Sequence, residues 1–168
     1  VANLNGGTGA SKLNAVADGS ITLSDGGANV SVAMVDGVHG VRSQTGFVSL
    51  TLTSADALLT NDSDTISSAA GVTLAADPMA LGGGDIVSAG QTVTLQSHST
   101  GWSLDLGTTS DTAGVSTLGL SNAELSSITA SALQLSADGN VTVSADASAS
   151  SVGLLHIAAG GNIGGLGV

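Results

Sequence analysis

Three histidines, thirteen carboxylates, one lysine and one arginine carry nearly all the ionisable chemistry of this 168-residue chain. Their spacing limits what they can do. His39, His98 and His156 lie far apart with no metal-ligand spacing, and a coiled chain could stack only some of them, so they read as surface or core residues. With no cysteine, a thiolate metal site, a thiol nucleophile and a disulfide scaffold are excluded. Serine is abundant, but no Gly-x-Ser-x-Gly elbow is present to raise a serine nucleophile. The stretch Asn61-Asp62-Ser63-Asp64 offers oxygens to Ca²⁺, yet it lacks the sixth-position Gly and twelfth-position Glu of an EF-hand loop. It reads as a solvated turn. Even if Asp105 and Asp111 faced a common groove, sugar hydrolysis would need subsites of clustered cations or aromatic platforms. The chain offers only Lys12, Arg42, Phe47 and Trp102. The expectation is a protein that is not an enzyme and uses no metal or cofactor.

The charge balance narrows the partners. A formal charge of -11 repels phosphate backbones and anionic lipid, which argues against nucleic-acid partners. No run approaches the 18 apolar residues of a membrane span, so membrane insertion is not expected either. The chain opens with Val1 and has no basic n-region, and it reads as one domain over 1–168: a mature form, or a segment cut from a longer repeat protein.

The elements that must position these residues are short alternating runs. Ile21-Thr22-Leu23, Val30-Ser31-Val32, Val48-Ser49-Leu50, Val72-Thr73-Leu74, Val93-Thr94-Leu95 and Val141-Thr142-Val143 have the in-out-in period of strands. Thr22, Ser31, Thr73, Thr94 and Thr142 are expected to point outward. Asp-Gly and Gly-Gly corners separate the runs, and helix-period patterning is nearly absent. A sandwich of this size would fill its interior with aromatics, whereas the chain holds 1%. Small aliphatics suit the narrow interior of a coiled solenoid instead. Strands starting at Val48, Val72, Val93, Leu118 and Val141 recur at the spacing of one solenoid turn. About seven rungs at roughly 4.8 Å each predict a rod about 34 Å long, an all-β parallel β-helix with an aliphatic core.

The segments Leu50–Leu58 and Leu118–Ser126 are alike. Thr53 with Asp56, and Ser121 with Glu124, have the three-residue spacing of a capping box, which predicts short helical corners and structural carboxylates.

The stretch from Leu74-Ala75-Ala76-Asp77-Pro78-Met79-Ala80-Leu81-Gly82-Gly83-Gly84-Asp85-Ile86 through Gly90-Gln91-Thr92-Val93-Thr94-Leu95 carries a family resemblance. So do Leu104-Asp105-Leu106-Gly107 and Leu118-Gly119-Leu120-Ser121-Asn122-Ala123-Glu124-Leu125. This region resembles the repeats of filamentous-haemagglutinin-like exoproteins, which are very large bacterial surface proteins. The close match runs from about Val72 to Val143. Trp102 stands where such repeats more often carry a polar or basic residue. The resemblance implies a right-handed parallel β-helix, export across the outer membrane, a place at the bacterial cell surface, and a role in adhesion or matrix building.

Two readings of function follow. The chain is an extracellular structural or adhesive segment that meets a host or neighbouring-cell surface, or it is a filament subunit stacking head to tail with copies of itself. The second rests on the open ends of a solenoid, which expose unpaired backbone and an apolar cross-section. Leu4, Ile163, Leu166 and Val168 are the expected assembly residues.

Overall fold

The structure, a computed structural model, describes the main chain of residues 2–5 together with residues 10–27, 29–55, 57–108 and 116–165. β1 (Ala2–Asn5) is followed by β2 (Ser11–Ala17), β3 (Ile21–Asp25) and β4 (Val30–Val32). Then come β5 (Val41–Ser43), β6 (Val48–Leu52), β7 (Leu59–Asn61), β8 (Ile66–Ser68), β9 (Val72–Ala75) and β10 (Met79–Ala80). The long β11 (Ile86–Gln96) leads to β12 (Ser103–Leu106), β13 (Thr117–Leu120) and a short helix, α1 (Asn122–Ser126). β14 (Ile128–Ala137), β15 (Val141–Val143), β16 (Val152–Ala159) and β17 (Ile163–Gly165) complete the order.

Apart from β1, which pairs antiparallel with β2, the strands pair in parallel, mostly with strands of the preceding and following circuits, giving an all-β, solenoid-like fold built from long parallel sheets. The first ladder runs through β2, β5, β8, β11, β14 and β16. The second runs through β3, β6, β9 and then the later halves of β11, β14 and β16. The third has two parts: β2, β4, β7 and β10, then β13, β12, β15 and β17.

In-register pairing turns period-two alternation into columns. In the second ladder Ile21, Val48, Val72, Val93, Leu133 and Leu155 stack in one column, and Leu23, Leu50, Leu74, Leu95, Leu135 and Ile157 in the next. The middle members are fully buried and form the core with the Val41–Ile66–Ile86–Ile128 column of the first ladder. Branched aliphatics suit this arrangement, because each fills the hollow left by an identical neighbour about 4.8 Å away.

A buried polar column lies beside this core. Ser43, Ser68 and Ser88 occupy equivalent positions of successive first-ladder strands. Their hydroxyls donate to the Gly19, Gly46 and Ser68 carbonyls at 2.8, 2.7 and 3.0 Å. Corner carboxylates and amides stitch the circuits together in the same way. Asp77 Oδ1 accepts the His98 and Ser99 N–H groups, both at 2.8 Å, and Asp138 Oδ2 accepts that of Gly101 at 2.6 Å. Asn29 and Asn140 accept from Leu58 and Asn162, each at 2.9 Å.

Three expectations need correction. Val48, Val72 and Val93 do share a ladder, but its next members are Leu133 and Leu155, while Leu118 and Val141 flank Leu104 in the third ladder. Period-two triplets look the same whichever side of the coil they line, so spacing alone assigned them to the wrong face. For the same reason the alike segments at Leu50 and Leu118 occupy different ladders. Finally, Ser31 alternates with the core residues Val30 and Val32 as expected but is covered rather than exposed, at 8% exposure, between Lys12 and Thr60 in register. The long lysine stem on one side and threonine on the other cover its small side chain.

Candidate functional site

Of the carboxylates singled out from the sequence for capping or sugar hydrolysis, Glu124 and Asp105 are described, and they share no partner. Ser121 caps α1 and Glu124 completes the capping box: Glu124 Oε2 accepts the Ser121 N–H and hydroxyl, both at 2.8 Å. Its Oε1 accepts the Leu81 N–H at 2.9 Å, so the same buried side chain ties the helix to the strand end at β10. Sequence spacing gave the first of these roles and carried no signal for the second. Asp56 and Asp111 lie outside the described residues. Asp105 is half-buried on β12 between Gly119 and Thr142, with Oδ1 enclosed and unpartnered.

The histidines are also dispersed. His98 lies in the corner after β11, where its main-chain N–H is held by Asp77, and His156 is exposed on β16 beside Gln134. His39 precedes β5. Among the described residues no cluster of three or more His, Cys, Asp or Glu side chains is arranged to hold a metal ion.

The stretch Asn61-Asp62-Ser63-Asp64 departs from a solvated turn. Asp62 and Ser63 are exposed, but Asn61 is fully buried and Asp64 is 8% exposed. Asn61 ends β7 with an inward side chain whose amide donates to the Asp85 carbonyl at 3.4 Å. His39 Nδ1–H donates to Asp64 Oδ1 at 2.8 Å, while Asp64 Oδ2 is enclosed without a partner.

That histidine–carboxylate pair borders a cleft of about 360 Å³, lined by His39, Arg42, Asp64, Thr65 and Ser67. The fold builds it locally. Arg42 and Ser67 are adjacent in register on the outer face of β5 and β8, flanked by Val16 and Val87. Gly40, at φ +64°, carries the chain past the Thr65 carbonyl so closely that any side chain there would collide with it. This fixes His39 at the rim. The His39 side chain is 68% exposed and that of Asp64 is 7% exposed, so the carboxylate forms the floor and the imidazole faces solvent. Sequence reading missed this grouping, because 25 residues separate His39 from Asp64. One circuit of the coil brings them together.

The expected assembly residues are placed as follows. Leu4 lies in β1, which runs antiparallel to β2 with Leu4 opposite Leu13. Ile163 lies in β17 and is 61% exposed, and Leu154 and Leu155 of β16 are exposed as well. Leu166 and Val168 lie outside the described residues. Compared with protein-family models, with curated proteins and with solved structures, this chain matches none.

Proposed function

We propose that this chain is a non-enzymatic structural or adhesive segment of a large bacterial surface exoprotein resembling the filamentous haemagglutinins. In this reading it works outside the cell as a right-handed parallel β-helix of about seven turns, the β13–α1 excursion taking the place of one. Right-handed winding is the sense that strand twist favours when parallel strands are joined across a sheet. The observation that carries the reading is where the polar chemistry goes. Glu124, Asp77, Asp138 and the buried serines satisfy backbone groups of neighbouring circuits instead of facing a common cleft. A side chain committed to holding main-chain amides is a stitch, and the product is a stiff spacer with a regular surface. The test is adhesion: the purified chain, immobilised in wells, should retain epithelial or bacterial cells above a matched acidic control protein. Retention no better than the control would remove the adhesive role and leave the spacer.

A second reading, a filament subunit stacking end to end with other copies, is favoured by the exposure of Leu154, Leu155 and Ile163 along β16 and β17. Negative-stain microscopy separates the two. Long fibres of uniform width support the filament, and dispersed short rods support the segment.

A further inference from the structure

We propose that the cleft between His39, Arg42 and Ser67 is a binding site for a small oxyanion of the sulfate or phosphate type. The chain has two fixed cations against thirteen carboxylates, yet Arg42 forms no ion pair with any described carboxylate. It is exposed on β5, in register with Ser67, and the Arg42, Thr65 and Ser67 side chains have no hydrogen-bond partner among the described residues. Three unpartnered polar groups therefore line one depression. A guanidinium presents a planar fork of donors suited to two oxygens of one anion, and the hydroxyl about 4.8 Å along the ladder supplies a third donor.

His39 completes the set. Because its Nδ1–H is committed to Asp64, Nε2 is the ring nitrogen left for the cleft, and it becomes a donor when the ring is protonated. Asp64 lies on the floor with one oxygen engaged and the other enclosed, so it orients the ring and presents no free oxygen atom to an incoming anion. The rim is rigid, since Gly40 is wedged against Thr65 and the Val41 N–H donates to the Thr65 carbonyl at 3.1 Å. Size selection follows from the wider field. A net charge of -11 opposes a polyanion laid along the rod, whereas a single small anion meets chiefly the Arg42 guanidinium and the donors beside it.

The test is an NMR titration of the chain with sodium sulfate under mildly acidic conditions, which favour a protonated imidazole. The His39 Cε1–H and the Ser67 amide should shift along saturating curves, with His98 and His156 unmoved. Sodium chloride at equal ionic strength should leave all four signals in place. Arg42→Gln should weaken sulfate binding about tenfold, reflecting the lost bidentate contact. His39→Gln, followed at the Ser67 amide, should weaken it as well, and circular dichroism of both variants should match the wild type. Heparin, which carries the same sulfate chemistry on a polyanion, should not bind. Equal shifts in chloride, or an Arg42→Gln variant that binds sulfate like the wild type, would overturn the proposal. Arg42-dependent binding of heparin in the absence of sulfate binding would overturn the small-ion assignment.

Discussion

Glu124 shows how a single side chain can be read correctly and still be underestimated. Its spacing from Ser121 announces a capping box, and the box is present. Its bond to Leu81 crosses 43 residues of sequence, and nothing in local spacing could indicate it. Replacing it with Gln keeps the shape but puts an amide donor where two N–H groups and a hydroxyl need acceptors. Glu124→Gln should cost about 1–3 kcal/mol, read as a lower urea midpoint. The inner serines make the same point. Ser68 Oγ donates to the Gly46 carbonyl and accepts the Ala70 and Gly71 N–H groups, both at 3.1 Å. Ser68→Ala removes all three bonds from a buried corner and should also cost about 1–3 kcal/mol, whereas Ser49→Ala on the outer face of β6 should be near neutral. Equal effects at the two positions would mean that the inner serine column contributes nothing.

Among the strands, alternation fixes which side chains face inward, and the second ladder follows it closely. Leu74→Asp would place a charge in a column that is closed above and below by Leu50 and Leu95. It should cost about 4 kcal/mol or more and abolish the folded circular-dichroism spectrum. Thr94→Lys, on the outer face, should stay within about 1 kcal/mol of wild type. The sequence made strands, corners and apolar columns legible because they depend on neighbours two residues apart. It concealed the order in which strands stack, because every ladder is written in the same Val/Leu/Ile-x-Val/Leu/Ile pattern. The excursion between Leu106 and Ile128 is the point at which equal spacing and spatial succession part company. The cleft at His39 was illegible for a related reason. Its members become neighbours only when the length of the circuit is known.

For the molecule as a whole, charge and edges set the behaviour. With -11 along its length, side-by-side packing is opposed while the Debye length is about 30 Å at 0.01 M salt, and it eases as that falls to about 10 Å at 0.1 M. Light scattering should therefore rise with moderate salt, and more strongly with divalent cations. A flat response to both would show that charge repulsion does not control association. End-to-end contact is a separate matter, which the filament reading assigns to the edge of β16 and β17. Ile163→Pro removes an edge donor and should abolish any concentration-dependent sedimentation of the wild-type chain while leaving the circular-dichroism spectrum intact. A wild type that sediments as a monomer at every concentration would exclude the filament reading.

The detour through β13 has a mechanical consequence. Although β13 follows β12 in the chain, it lies on the side of β12 away from β15, and Glu124 fastens the adjoining helix back to Leu81. A rod whose circuits simply succeed one another can be unwound by a pull on its last strand, one circuit per step. Here such a pull should release β17, β16, β15 and β14 in modest increments and then stop at a strand threaded beneath its predecessor. In single-molecule stretching from the C-terminal end, the force should climb at that point before one longer extension frees β12, β13 and α1 together. Glu124→Gln should lower that peak and leave the earlier ones unchanged.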